Sequence, residues 1–425
     1  MNNASLELGG TNWAEKDGNI LGYSVGDTSG NFSPQEFTFA RGSNLSATRI
    51  DRAGLIVKGR ENVLTYSNDF SNAAWVKVRS SVSSGATDPF GGSNAWAFLT
   101  DTTADEQHYF SQSISQSGVG TLSLYAKANG YNWLRLRLPS EEAFFDLANG
   151  VTGSSTTGIS ASMTNAGNGW YRCQVAIANM STNPNVFIHI AEGDGDIIIG
   201  GTPSGTDGLY IYASQLEQGL AASPYIPTTT TSAQAGVLEN TPRLNYTTGV
   251  ANPYLLLEPS RTNSVTSSET FGSTGWTNFV TGTAITTIVT DNFAISPDGT
   301  KNAQRIQFNL GGGTTAADRT VIRQSITSQT NWVLSVYMKS TDGTDQKILW
   351  HTGGDSNETV VTGEWKRYTF NINGTNNSWV GLAMRGTIST NNTSDILVYG
   401  FQAEQGGYPT SYIPTYSVSA TRANE

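Results

Sequence analysis

The sequence predicts an all-β protein: tandem antiparallel β-sandwich domains of jelly-roll type, with a small N-terminal β module. Three observations predict it. Segments such as "TLSLYAK", "WLRLRL", "NVFIHIA", "LYIYASQ" and "DILVYGFQ" alternate apolar and polar residues at period two. Clusters of Gly, Asn, Asp, Ser and Thr separate these segments, as turns between short strands require. The phrase "SQLEQGLAASPYIPT", Ser214 to Thr228, returns as "GFQAEQGGYPTSYIPT", Gly400 to Thr415. No window carries a 3.6-residue apolar stripe, so helices are not expected.

The repeat extends well beyond that phrase. "VLTYSNDFSNAAW" pairs with "SVTSSETFGSTGW", "LSLYAKANG" with "LSVYMKSTDG", and "GWYRCQVAI" with "EWKRYTFNI". The blocks recur in one order at varying offset, so the loops between them differ in length. A duplicated unit of about 160–170 residues results, too long for a solenoid repeat. The chain therefore divides into an N-terminal module (1–60), a first sandwich (61–231), a structured connector (232–260) and a second sandwich (261–425). In each copy the repeated phrase is the exit of the sandwich. Glu217 and Glu404 pin the end, and Pro227 and Pro414, lacking an N–H, stop strand pairing. Trp75, Trp170, Trp276 and Trp365 stand at matched repeat positions and are expected in the cores.

Composition narrows the function classes. With 425 residues, 24 Lys and Arg against 34 Asp and Glu, the net charge is −10, so a basic nucleic-acid surface is not expected. The opening "MNNASLELGGTNWAEK" lacks a basic, then apolar, leader, so no secretory signal is expected. No apolar run approaches the about 18 residues of a membrane span. The single cysteine, Cys173, alternates with apolar residues and reads as a buried strand thiol.

Catalytic chemistry finds no anchor. His108, His189 and His351 are far apart in sequence, without metal-ligand spacing. There is no Gly-x-Ser-x-Gly elbow and no phosphate-binding glycine loop. Glu141 and Glu142 are adjacent and would point to opposite sheet faces, unlike a glycosidase pair. The chain is expected not to be an enzyme. "AEGDGD" supplies Glu192, Asp194 and Asp196, alternating with small residues, as candidate oxygen ligands for a structural calcium; no other cofactor is expected. "NGYNWLRLRL" supplies the candidate glycan surface: Tyr131, Trp133, Arg135 and Arg137 on one face, with Leu134, Leu136 and Leu138 on the buried face.

Several blocks carry a family resemblance: "SATRIDRAGLI", "PRLNYTTGVANPYLLLEPSRTN", "LTYSNDFSNAAW", "FFDLANG" with "GNGWYRC", "SQLEQG", "SYIPT" and "SATR". Together they resemble bacteriophage virion proteins of tail, fibre and head-associated type that carry carbohydrate-binding-module-like jelly rolls. The likeness runs from Phe37 to the end, though the second unit lacks "FFDLANG" and has "EWKRY" for "GWYRC". It implies a structural protein of the phage particle, made in the bacterial host cytoplasm. It implies attachment to other capsid or tail proteins through the N-terminal module, assembly as a homo-oligomer such as a trimer, and host-surface glycan as a binding partner. The calcium idea also fits jelly-roll carbohydrate modules. The alternatives are a secreted-type carbohydrate-binding-module protein and a jelly-roll polysaccharide lyase or hydrolase.

Overall fold

This computed structural model describes residues 13–16, 19–26, 32–35, 41 and 44–425, apart from 139, 182–183, 240, 249, 251–252, 274 and 373–376. Much of the N-terminal attachment module expected over 1–60 therefore lies outside the described residues. The chain forms two compact units: Glu61–Gln234, and the described residues up to Arg60 together with Ala235–Glu425. Each holds one antiparallel β-sandwich.

In the first sandwich one sheet runs, edge to edge, Val151–Ser155, Glu141–Asp146, Trp133–Leu138, Asn185–Ala191, His108–Ser113 and Val76–Val78. The facing sheet runs Ile159–Gly167, Trp170–Met180, Gly118–Asn129, Gly208–Glu217, Ala95–Thr100 and Ser80–Ala86. Alternation along each strand fills the space between them. Leu122, Leu124, Leu134, Leu136, Leu138, Phe98, Phe110 and Cys173 are all fully buried there. Trp75 meets Phe70 and Phe110 with ring centroids 5.6 and 5.2 Å apart.

The second sandwich repeats this plan with five strands per sheet. One sheet is Trp276–Thr281, Arg319–Gln329, Asn377–Arg385, Gln346–His351 and Asp355–Val361. The other is Ile285–Ala294, Ala303–Asn309, Thr393–Gln405, Trp332–Ser340 and Lys366–Ile372. Its core holds Phe271, Trp276, Trp350, Phe401 and Leu334. Trp365 departs from expectation. It is only half-buried, packs against the small cluster of Ile56, Tyr399 and Tyr412 outside the sandwich core, and donates its indole N–H to the Ile295 carbonyl at 3.2 Å.

The repeated phrase works as a latch, and it is built the same way twice. The side-chain carbonyl of Gln215 accepts the Ile226 N–H at 2.7 Å, and Gln402 accepts that of Ile413 at 2.7 Å. The adjacent carboxylates take the next turn: Glu217 accepts Ser223 N–H at 2.7 Å and Glu404 accepts Thr410 N–H at 2.6 Å. Asn62 and Asn263 tie the entry of each sandwich to this exit. Each amide donates to a carbonyl of the latch, Ile226 or Ile413, and each oxygen accepts two backbone N–H groups. These buried side chains substitute for ladder bonds that a chain reversal cannot make.

The stretch that precedes the first sandwich packs onto the second. Strand Thr48–Ile50 pairs with Ile56–Lys58, and Thr48 donates its hydroxyl to the Tyr412 carbonyl at 2.6 Å. Lys58 is buried with its ammonium 2.8 Å from both Glu269 and Asp298. Burial pulls the Lys58 pKa down, but Asp298 and Glu269 together hold it above its ordinary value. Arg243 and Glu258, from one block, converge with Arg422 and Glu425 of the C-terminal segment in a buried ion-pair cluster. The expected module 1–60 and connector 232–260 thus lie, over most of their described length, in the same unit as the second sandwich. A buried ammonium remains charged only beside its carboxylates, and those stand on the second sandwich.

Candidate functional site

The leucine row of Trp133–Leu138 faces the core, so its alternate residues face out. Register then assembles a cross-strand ladder on that outer face: Phe144, Arg135, His189 and Tyr109 are successive partners. One step along the strands, Arg137 stands opposite Phe187, its guanidinium 5.0 Å from the ring centroid. Tyr109 lies 4.7 Å from His189 and 5.6 Å from Phe187 between ring centroids. Trp133 is half-buried over Gly153, where an added Cβ would come within 2.6 Å of the indole.

The sequence-predicted residues are partly brought together. Trp133, Arg135 and Arg137 share this face. Tyr131 does not: the strand begins at Trp133, and Gly130, at φ +94°, turns the chain so that Tyr131 packs against the core. Burial and the charges of Glu192 and Asp207 raise the Tyr131 pKa. Arg135 is more constrained than a surface arginine. It is buried, donates Nε–H to Glu142 Oε2 at 2.8 Å, and lies 5.8 Å from the Phe144 ring centroid.

The residue that the sequence reading passed over is His189. It is 1% exposed, and neither ring nitrogen has a hydrogen-bond partner. Burial holds its pKa well below the ordinary value, and the charges of Arg135 and Arg137 push it the same way. It is therefore neutral at physiological pH, with one N–H donor and one acceptor unsatisfied. The sequence carried only part of the signal, a polar residue between Ile188 and Ile190 on a strand; the arginines beside it come from the strand pairing.

The three carboxylates of "AEGDGD" are not gathered around a common point. Asp194 accepts the Ser154 N–H at 2.6 Å and its hydroxyl at 2.8 Å, while Glu192 accepts the Gly200 N–H at 2.9 Å. Asp196 turns back over Gly193. Asp194 and Glu192 thus cap different loops, and among the described residues no group of three or more His, Cys, Asp or Glu side chains is placed to hold a metal ion. The oxygens of Asp194 and Glu192 are used in turn capping.

No family model matches the chain, and no curated protein matches it. Solved structures do match. A tandem pair of CBM22 modules from Paenibacillus barcinonensis Xyn10C is 13% identical, over 87% of this chain and 100% of that one, with a TM-score of 0.25. The tandem CBM51 modules of a family 98 glycoside hydrolase from Streptococcus pneumoniae SP3-BS71 are 8% identical, over 85% and 97%, with a TM-score of 0.19. The M60 catalytic domain with its two CBM51 domains from Clostridium perfringens ZmpB is 8% identical over 91% of this chain but 41% of that one, with a TM-score of 0.21. Binding chemistry is therefore read from this chain's own residues.

Proposed function

We propose that the chain is a non-enzymatic surface protein of a phage particle, of head- or tail-fibre or decoration type, whose first sandwich binds host-surface glycan. His189 carries the glycan reading. Leaving its donor and acceptor unpaired costs about 1–3 kcal/mol, and sugar hydroxyls would satisfy them once the flanking Tyr109 and Phe187 rings part over the imidazole. Tyr109, Phe187 and Trp133 offer ring faces for pyranose C–H groups, and Arg137 offers donors at the rim. The particle reading is supported by the ordered sequence blocks that resemble virion proteins. Attachment to other particle proteins through the N-terminal residues, and assembly as a homo-oligomer, belong to the same proposal.

The test is binding of the labelled full-length chain to host cells and to glycan released from them, beside His189→Leu and Trp133→Ala. Saturable binding weakened about tenfold or more in both variants, with melting curves intact, is expected. Binding unchanged in both variants, or none by the unaltered chain, would overturn the glycan reading. Mass spectrometry of purified particles tests the particle reading, and a chain absent from them would remove it.

A further inference from the structure

A second site lies elsewhere, in the unit of the second sandwich. A cavity of about 280 Å³ opens there beside Arg261, with Ser264, Thr327, Trp332 and Gln405 on its walls. Arg261 begins strand Arg261–Asn263, and its neighbour Asn263 is locked by four hydrogen bonds, so the backbone under the guanidinium is fixed. The guanidinium lies across Gly406, where a Cβ would come 2.9 Å from Nη2, and 5.6 Å from the centre of the Tyr408 ring. Nη1 donates to the Ser260 carbonyl at 3.2 Å. Nε is buried without a hydrogen-bond partner. The nearest carboxylate oxygen, Glu404 Oε2, is 4.0 Å away and already accepts the Thr410 hydroxyl at 2.7 Å.

The matching place in the first sandwich is closed. Aligning "LSLY" with "LSVY" puts Gly120 where the second has Trp332. At Gly120 the methyl of Met180 would stand 2.9 Å from an added Cβ, so the space is already filled. The second sandwich thus combines an incompletely satisfied guanidinium with hydroxyl and amide side chains, over the buried edge of Trp332, in room for about one sugar ring.

We propose that this cavity binds an acidic sugar. The carboxylate pairs with Arg261, a charge-assisted bond stronger than a neutral one. Ring hydroxyls meet the side chains of Ser264, Thr327 and Gln405. The proposal does not rest on the His189 reading.

The probe is D-galacturonate, with D-galactose beside it, titrated into the full-length chain by calorimetry and ligand-observed NMR. Galacturonate is expected to bind saturably with Kd about 1 mM, and galactose about tenfold or more weakly. Arg261→Gln should abolish that preference. Thr327→Trp, an exposed rim position that plugs the cavity without touching the guanidinium, should abolish binding of both. His189→Leu should leave galacturonate binding unchanged. No saturable galacturonate binding, equal binding of the two sugars, or binding that survives Thr327→Trp would each overturn the proposal.

Discussion

The two sandwiches share one interior and differ on both outer faces. Gln112 and Gln324 occupy one position in the two copies, each accepting the N–H of the entry strand, Thr65 at 2.8 Å and Thr266 at 2.6 Å. Counting outward through the strand registers from there, His189 corresponds to Ala383 and Arg135 to Leu349. In the second sandwich Ala383 and Leu349 close with Val321 into a buried apolar patch. The first sandwich keeps polar groups where the second has sealed the sheet. On the opposite face the relation inverts. The second sandwich's Tyr399 and Tyr412 lie under Ile56 and Lys58, whereas the first's Tyr125 and Tyr212 meet Phe90, which is 72% exposed. Phe90 rides on a loop two residues longer, 89–94 against 299–302. A duplicated core retains its packing because voids and overpacking both destabilise it, while faces are free to take different partners.

The largest break in this comparison comes from Lys58. Lys58→Met leaves Glu269 and Asp298 buried without their ammonium, a loss of about 3–5 kcal/mol. Calorimetry should show the transition of the second sandwich falling and that of the first unmoved. If both fell together, the two units would not be energetically separate.

A smaller effect tests a bulge that both copies place after the paired tyrosine. Ala213 holds φ +55° there and Gly400 holds φ +67°. Gly400→Ala adds the left-handed penalty of about 1–2 kcal/mol and sets a Cβ 3.1 Å from the Tyr412 ring. Ala213→Gly should stabilise the first sandwich, by about 0.5–1 kcal/mol. Denaturant melts of the two variants should shift in opposite directions.

The smallest effect concerns pH. The native pKa of His189 is depressed by burial and the two arginines, so below about 6.5 the unfolded chain binds the extra proton. Its contribution is therefore full above that pH and is lost as pH falls. His189→Leu should raise stability at pH 7 by about 1 kcal/mol and flatten the acid limb of the first sandwich alone. Burial and Arg319 lower the His351 pKa too, so the second sandwich should keep its acid limb.

The strands and the duplication were legible because alternation and turn residues are local signals. Leu134, Leu136 and Leu138 fell on the core face as period two requires. Tyr131 was misplaced because a single glycine turn resets the strand's start, and no periodicity marks that. Trp365 was misplaced because a matched position can pack against a different neighbour, here the cluster that Ile56 of a distant segment forms with Tyr399 and Tyr412. The carboxylates at 192, 194 and 196 were taken as a group because they are close in sequence; their partners, Ser154 and Gly200, lie in other loops. His189 and the Arg261 cavity depend on which side chains are left unpaired after folding, a property of three-dimensional accounting rather than of any motif.

The route of the chain around Lys58 has one more consequence. Val237 donates its N–H toward the Lys58 carbonyl at 3.5 Å, and Gly236, at φ +86°, could not carry a Cβ there, since it would sit 2.1 Å from that oxygen. The points where the chain leaves for residue 61 and returns after residue 234 are therefore neighbours on one base. The first sandwich is an insertion whose two ends start from adjacent places in the chain's other unit. Recombination that exchanged it for another domain with adjacent ends would change what is displayed and leave the Lys58 and Arg243 anchors intact.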